Sequence, residues 1–256
     1  SGEAIRISTT NNFSELKLLF NPSVHFGESY TNGSLIVEEG SIHDFLKLIF
    51  LNTNSDINHW VMKLSKIIRI IQNKIRTDNY ISKSKRNVAH HYDLSDKLYE
   101  LFLDPDRQYS CAYFNSPNDT LEQAQINKKE LISKKLILEE DQSVLDIGCG
   151  WGGMAAHIYK KSNASVVGVT LSEEQYAYAN QRKINEKLNK VEYRLQDYRN
   201  VNETYDRIVS VGMFEHVGTS HYQEFFNKVY DLLNDTGVAL IHTIGRLTEP
   251  TNNDPW

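Results

Sequence analysis

Two short stretches of this sequence carry residues whose types and spacing could do chemistry. In SVGMFEHVG, Ser210–Gly218, a carboxylate and an imidazole, Glu215 and His216, arrive together where an apolar run ends. A second imidazole, His242, lies in the later apolar run GVALIHTI. A carboxylate at such a place can orient or deprotonate a bound group, and an imidazole can exchange a proton near neutral pH. The other stretch is DIGCGWGG, where Gly148, Gly150, Gly152 and Gly153 follow Asp146 closely. Glycine permits positive φ and close backbone approach, so a ligand can lie on such a turn against a helix N-terminus.

Both stretches need elements to position them, and from about Asn87 the pattern alternates strands with helices. Strand SVLDIG precedes a helix from Gly153, and strand ASVVGVT precedes a helix from Glu173 to Leu188. Strands VEYRLQ and DRIVSVGMF follow, then a helix from Tyr222 to Leu233 and strand GVALIHTI. This order predicts an α/β domain with a doubly wound, mostly parallel sheet, whose ligands bind at the carboxyl ends of the strands. Glu215 and His242 are each expected at one such end.

The glycine loop reads as G-x-G-x-x-G, a dinucleotide fingerprint, and equally as D-x-G-x-G-x-G, found in S-adenosylmethionine methyltransferases. A nicotinamide site wants an acid ending the second strand, about 20 residues on, to hold a ribose hydroxyl. Here that strand ends in Thr170, Leu171 and Ser172. Ser172 and Gln175 also fit a capping box, which accounts for both without a ligand, while Gln175 can equally bond a ribose. Gln196, Asp197 and Tyr198 supply an acid and an aromatic ring suited to an adenine, or ordinary loop chemistry. The order favours S-adenosylmethionine over a nicotinamide.

The 256 residues suffice for two unequal domains, and 24% charged with 40% hydrophobic residues is the balance of a globular chain. No apolar run approaches the ~20 residues needed to span a bilayer, and no signal sequence is evident, so a cytoplasmic location is expected. Two cysteines, Cys111 and Cys149, make neither a metal cage nor a disulfide framework. His90 and His91 lack a partner pair for a metal. Strands at 4–8, 16–20 and 35–39, with a turn-rich 26–34 between the last two, predict a small α+β unit.

Charge is uneven. Residues 57–87 hold Lys63, Lys66, Arg69, Lys74, Arg76, Lys83, Lys85 and Arg86 against Asp78 alone, a net +7 in a chain whose total is −5. Ile57, Trp60, Val61, Leu64, Ile67, Ile68, Ile71 and Ile75 mark one apolar helix face among them. A core-packing helix with a solvated basic side explains this, as does attraction to anionic lipid headgroups. Nucleic acid is disfavoured, because no aromatic stacking pattern accompanies the charge.

Three groups of segments together resemble the cyclopropane fatty acid synthase family, which includes the mycolic acid cyclopropane synthases. They are AHHYDLSDKLYELFLDPDRQYSCAYF; LDIGCGWGGMAAHI with VVGVTLSEEQ; and DRIVSVGMFEHVG with HTIG. The likeness covers Asn87–Trp256 closely and runs more loosely through FGESYTNGSLIVEEGSIHDFLKLI, which looks like the extra N-terminal domain of the phospholipid-acting members. The resemblance implies a class I methyltransferase domain over 87–256, incomplete at its C-terminus, after a small N-terminal α+β domain and linker over 1–86. It implies S-adenosylmethionine contacts from Tyr109 and Ser110, from Asp146 and the loop Gly148, Cys149, Gly150, Trp151 and Gly152, from Thr170, Leu171, Ser172 and Gln175, and from Gln196, Asp197 and Tyr198. Tyr198 stands where the mycolate enzymes have tryptophan. It further implies a bicarbonate ion held by Cys111, Glu215, His242 and the backbone of Ile244, with a C-terminal tyrosine that has no counterpart here.

The implied reaction methylates the cis double bond of unsaturated acyl chains in membrane phospholipids and closes a cyclopropane, by a homodimer attached peripherally to the inner membrane face. A base must take a proton from the added methyl, and Glu215 is expected to orient it, with His216 either supporting Glu215 or packing. Two alternatives stand: an amine N-methyltransferase, in which Glu215 meets an ammonium, and a non-catalytic module that binds S-adenosylmethionine or lipid.

Overall fold

The structure, a computed structural model, describes residues 4–10, 15–18, 22–53 and 96–245. They fall into two compact units, residues up to 53 in one and 96–245 in the other. The basic residues of 57–87, together with His90 and His91, lie outside the described residues.

In the first unit, β1 (Arg6–Thr9) pairs antiparallel with β2 (Leu35–Glu39). Helices α1 (Pro22–Thr31) and α2 (Ile42–Thr53) belong to the same unit, and Phe26 meets Phe45 with ring centroids 5.5 Å apart. The start of α2 is capped reciprocally, Asp44 N–H donating to Ser41 Oγ and Ser41 N–H to Asp44 Oδ2, both at 3.2 Å. Two expectations fail here. Residues 15–18 are helical rather than strand, because Glu-Leu-Lys-Leu has no β-branched side chain to favour a pleated surface. The stretch read as turn-rich from Phe26 is helical through Thr31, and only Asn32–Gly33 turns, with Gly33 at φ +75°.

The second unit opens with α3 (Asp96–Glu100) and α4 (Leu121–Lys135), then alternates: β3 (Ser143–Ile147), α5 (Gly153–Ser162), β4 (Ser165–Thr170), α6 (Glu173–Asn185), β5 (Val191–Leu195), β6 (Tyr205–Val211), α7 (Tyr222–Asp231) and β7 (Leu233–His242). The five strands lie in the order β5-β4-β3-β6-β7, all neighbours parallel. Successive strand residues bury on opposite faces. Val144, Val166 and Val209 join Ile132, Leu136 and Ile158, while Leu145, Val169 and Ile208 join Phe225, Val229 and Leu232. A sheet buried on both faces needs near-continuous apolar strands, which is how β3, β4 and β6 read.

Helix α4 had no counterpart in the sequence reading. Thr120 caps its start, with Gln123 N–H donating to Oγ1 at 3.2 Å. Its far end is closed by the buried Arg207 of β6, which donates to the carbonyls of Leu136 at 2.5 Å and Ile137 at 2.9 Å. β7 begins at Leu233 rather than Gly237, and its pairing with β6 is irregular between Tyr205 and Arg207.

Candidate active site

From β3 the chain crosses to β4 and β5 on one side and then returns from β5 to β6 on the other, so a crevice opens beyond the carboxyl ends of β3, β4 and β6. A cavity of about 1160 Å³, counting its open mouth, lies there. Its wall includes Tyr109, Ser110, Asp146, Gly148–Trp151, Thr170, Leu171, Gln175 and Gln196–Arg199.

The glycine loop folds as it does because its backbone demands it. Gly148, Gly150 and Gly152 have φ of +78°, +54° and +81°. A Cβ on Gly148 would stand 2.7 Å from the Met213 side chain, and one on Gly152 would stand 2.5 Å from the Tyr193 hydroxyl oxygen. At Gly150 the nearest atom is Gln175 Nε2 at 4.0 Å, so the missing side chain there leaves room in the cavity. Gly148 and Cys149 N–H groups both donate to the Val169 carbonyl, at 2.9 and 3.0 Å, which ties the loop to β4. The Cys149 thiol is buried and pushed up, chiefly by desolvation, which makes it a packing group and not a nucleophile.

Asp146 sits under this loop, 1% exposed. Its carboxyl is raised to about 7 by desolvation, opposed by a hydrogen bond from the Ala155 backbone at the start of α5. Oδ2 has no hydrogen-bond partner among the described residues. A buried oxygen on a cavity wall with nothing to accept from is suited to a ligand N–H, above all an ammonium.

Ser172 caps α6, accepting from Gln175 N–H at 3.2 Å, but the Gln175 side chain does not complete the box. Its Oε1 instead accepts from the Thr170 hydroxyl at 3.0 Å. Asp197 is no lone acid, since Arg199 donates to both of its oxygens, from Nε at 2.9 Å and from a terminal nitrogen at 2.7 Å. Tyr198 leans edge-on against Phe225, centroids 5.4 Å apart, and burial raises its phenol to about 12, so the ring stays neutral. Gln196 spends its side-chain N–H on the Asn200 carbonyl at 2.8 Å. Tyr109 and Trp151 belong to one aromatic group around Tyr99, at centroid distances of 5.7 and 4.9 Å.

The second constellation lies past the ends of β6 and β7, where Val211 pairs with His242 and Gly212 N–H donates to the His242 carbonyl at 3.0 Å. Glu215 stands in a single 3₁₀ turn, Phe214–His216, and its Oε1 accepts from Ile244 N–H at 2.8 Å. That amide, which the resemblance assigned to the bicarbonate, is therefore already engaged by the carboxylate. His242 Nδ1 is buried without a hydrogen-bond partner among the described residues. The segment carrying Tyr109 and Ser110 packs on Gly212, Ser110 Cβ lying 3.6 Å from where a Gly212 Cβ would be, while the Cys111 thiol is exposed.

Glu215, His242, Ile244 and Cys111 do not themselves line the cavity, nor do the helix caps Gly152 and Ser172. His216 does line it, as do Met213 and His221, whose Nδ1 lies 2.8 Å from Glu224 Oε2. Sequence reasoning missed Arg199, His221 and the buried polar face of α4, where Gln125, Lys128 and Lys129 turn inward. The signal for the last was a well-capped segment, LEQAQINKKELISKK, with too few apolar residues to form a stripe.

A family model described as mycolic acid cyclopropane synthetase matches residues 80–255. The cyclopropane-fatty-acyl-phospholipid synthase of Escherichia coli (strain K12) is 40% identical over 242 residues, covering 94% of this chain and 61% of that protein. The solved cyclopropane synthase MmaA2 from Mycobacterium tuberculosis is 42% identical with a TM-score of 0.61, over 64% of this chain and 58% of its own. Mycolic acid cyclopropane synthase CmaA1, solved in complex with SAH and CTAB, is 42% identical with a TM-score of 0.60, over 61% of this chain and 55% of its own. The chain thus spans about three fifths of the length of these relatives.

Proposed function

This chain belongs to the mycolic acid cyclopropane synthetase family, and from that premise we propose that it is the S-adenosylmethionine-dependent part of an enzyme that cyclopropanates unsaturated acyl chains of membrane phospholipids. The observation that carries the reading is the Glu215–Ile244 hydrogen bond beside the unpaired, buried His242 Nδ1, next to a cavity that already meets the needs of S-adenosylmethionine.

The residues present fit that cosubstrate. Asp146 Oδ2 lacks a donor, Gly150 leaves space for the ligand, and Gln175 presents Nε2 because its Oε1 is held by Thr170. Tyr198, neutral and half-buried, offers a ring face or edge to an adenine. When bound, S-adenosylmethionine supplies an electrophilic methyl group. The protein's own work is then to align acceptor and donor and to exclude water, which is where most of the rate comes from when the nucleophile is a plain alkene.

Methyl addition to a cis double bond leaves a cation on the acyl chain, and ring closure releases a proton from the added methyl. Glu215 is held in one orientation by the Ile244 amide, with His242 in the adjoining strand, so these two groups govern where that proton goes. A bicarbonate ion suits the same place: His242 has a nitrogen to offer, and Glu215 keeps Oε2 to accept the ion's O–H. When bound, it supplies an oxygen base. In this arrangement the Ile244 amide orients Glu215 rather than the ion.

The test is incubation with S-adenosylmethionine and vesicles of unsaturated phospholipid, followed by mass spectrometry of the released acyl chains. A gain of one methylene with loss of the double bond is expected. Chains left unchanged by protein that binds S-adenosylmethionine would overturn the lipid assignment and turn attention to amine substrates.

A further inference from the structure

Helix α4 runs behind the Tyr109–Ser110 wall of the cavity and presents two buried polar side chains to it. Gln125 Nε2 donates to the backbone carbonyls of Gln108 at 3.1 Å and Ser110 at 3.0 Å. Lys128, 2% exposed, donates from Nζ to Ser110 Oγ at 2.6 Å and to Gln108 Oε1 at 3.0 Å. Burying an ammonium is costly unless it is hydrogen-bonded and paired. Desolvation holds its pKa down at about 8, with Asp104 and Asp106 attracting the charge and Lys129 repelling it.

An ammonium has no lone pair, so Ser110 can only accept from Lys128 and must direct its single O–H elsewhere. Ser110 lines the cavity. We propose that Lys128 is a positioning residue that acts through Ser110, turning this wall into a fixed donor that recognises a ligand carboxylate. Resting on the methyltransferase reading, this gives one cavity an acceptor for an ammonium at Asp146 and a donor for a carboxylate at Ser110, the complement of an amino-acid zwitterion. Lys128 itself touches no ligand. Its charge polarises the hydroxyl that does.

Binding calorimetry with two probes tests this without any turnover. S-adenosylhomocysteine carries the carboxylate, and 5′-methylthioadenosine keeps the adenosyl group but lacks the amino-acid part. Lys128→Met should weaken S-adenosylhomocysteine about tenfold or more and leave methylthioadenosine within about twofold. Ser110→Ala should show the same selective loss, and adding Lys128→Met to it should cost little more. Equal losses for both probes would mean a merely structural lysine and overturn the proposal. Should Lys128→Met fail to fold, Ser110→Ala decides alone: an unchanged ratio of the two affinities overturns the relay. A wild-type chain that binds neither probe would sink the methyltransferase reading and the relay with it, whereas selective loss without acyl-chain turnover would leave the relay standing and fault the lipid assignment.

Discussion

Glu215 and Asp146 are both carboxylates, yet their surroundings give them different work. Glu215 is exposed and steered by one amide, so Glu215→Gln keeps the shape and loses the charge. S-adenosylmethionine affinity should stay within about twofold while turnover on phospholipid falls roughly a hundredfold or more, as loss of an acid–base group does. Unchanged turnover would remove Glu215 from the mechanism. Asp146 is governed by burial, which raises its carboxyl from 3.8 to about 7. Between those values the folded chain holds a proton that the unfolded chain has released, so this group's contribution to stability falls as pH rises toward 7. Thermal melts of the unliganded protein from about pH 5 to 7.5 should show that decline, and Asp146→Asn should flatten it. A ligand ammonium at Oδ2 favours the ionised form, so binding near pH 6 should release a proton, seen as an enthalpy that depends on the buffer.

At the scale of elements, the cap on α4 is the clearest liability. Arg207 reaches the Leu136 and Ile137 carbonyls from β6, and Arg207→Met would leave that of the buried Leu136 without its side-chain donor. A loss of about 2 kcal/mol in urea unfolding is expected, since hydrogen bonds to charged groups carry that order of energy. A midpoint shift near zero would mean that water replaces the guanidinium. The strands of the second unit were legible because a sheet covered on both faces writes long apolar runs, and the glycine loop because positive φ and close approach at Gly148 and Gly152 favour glycine. Helix α4 was not legible, since its inward side chains are Gln125, Lys128 and Lys129, polar residues whose partners Asp106, Gln108 and Ser110 reach them only after the 104–110 loop has folded over them. The Glu215–Ile244 bond escaped notice for a similar reason: 29 residues separate its partners, and no local pattern records a backbone donor. Residues 16–18 misled because leucines alone do not distinguish a strand from a short helix.

At the scale of the whole molecule, no helix among the described residues is long and apolar enough to cross a membrane, and the role proposed for the basic stretch is surface attraction to phospholipid. Eight Lys and Arg residues within 57–87 suit that role, at about 1 kcal/mol each near an anionic surface. Co-sedimentation with vesicles rich in anionic lipid should fall steeply as salt is raised, and reversing Lys63, Lys66 and Arg69 to Glu should abolish it while cavity binding of S-adenosylhomocysteine persists. Salt-independent sedimentation would assign the attraction to apolar contact instead. The central strand β3 meets β6 some 63 residues later, as the Ser143–Asp206 hydrogen bond shows. During synthesis, that separation leaves one edge of β3 without its neighbour for roughly 3 to 12 s at ordinary elongation rates. The nascent chain therefore spends seconds as a half-sheet, with Val144, Leu145 and Ile147 beside an open hydrogen-bonding edge. That interval, rather than the equilibrium stability of the finished fold, is when a chaperone has something to hold.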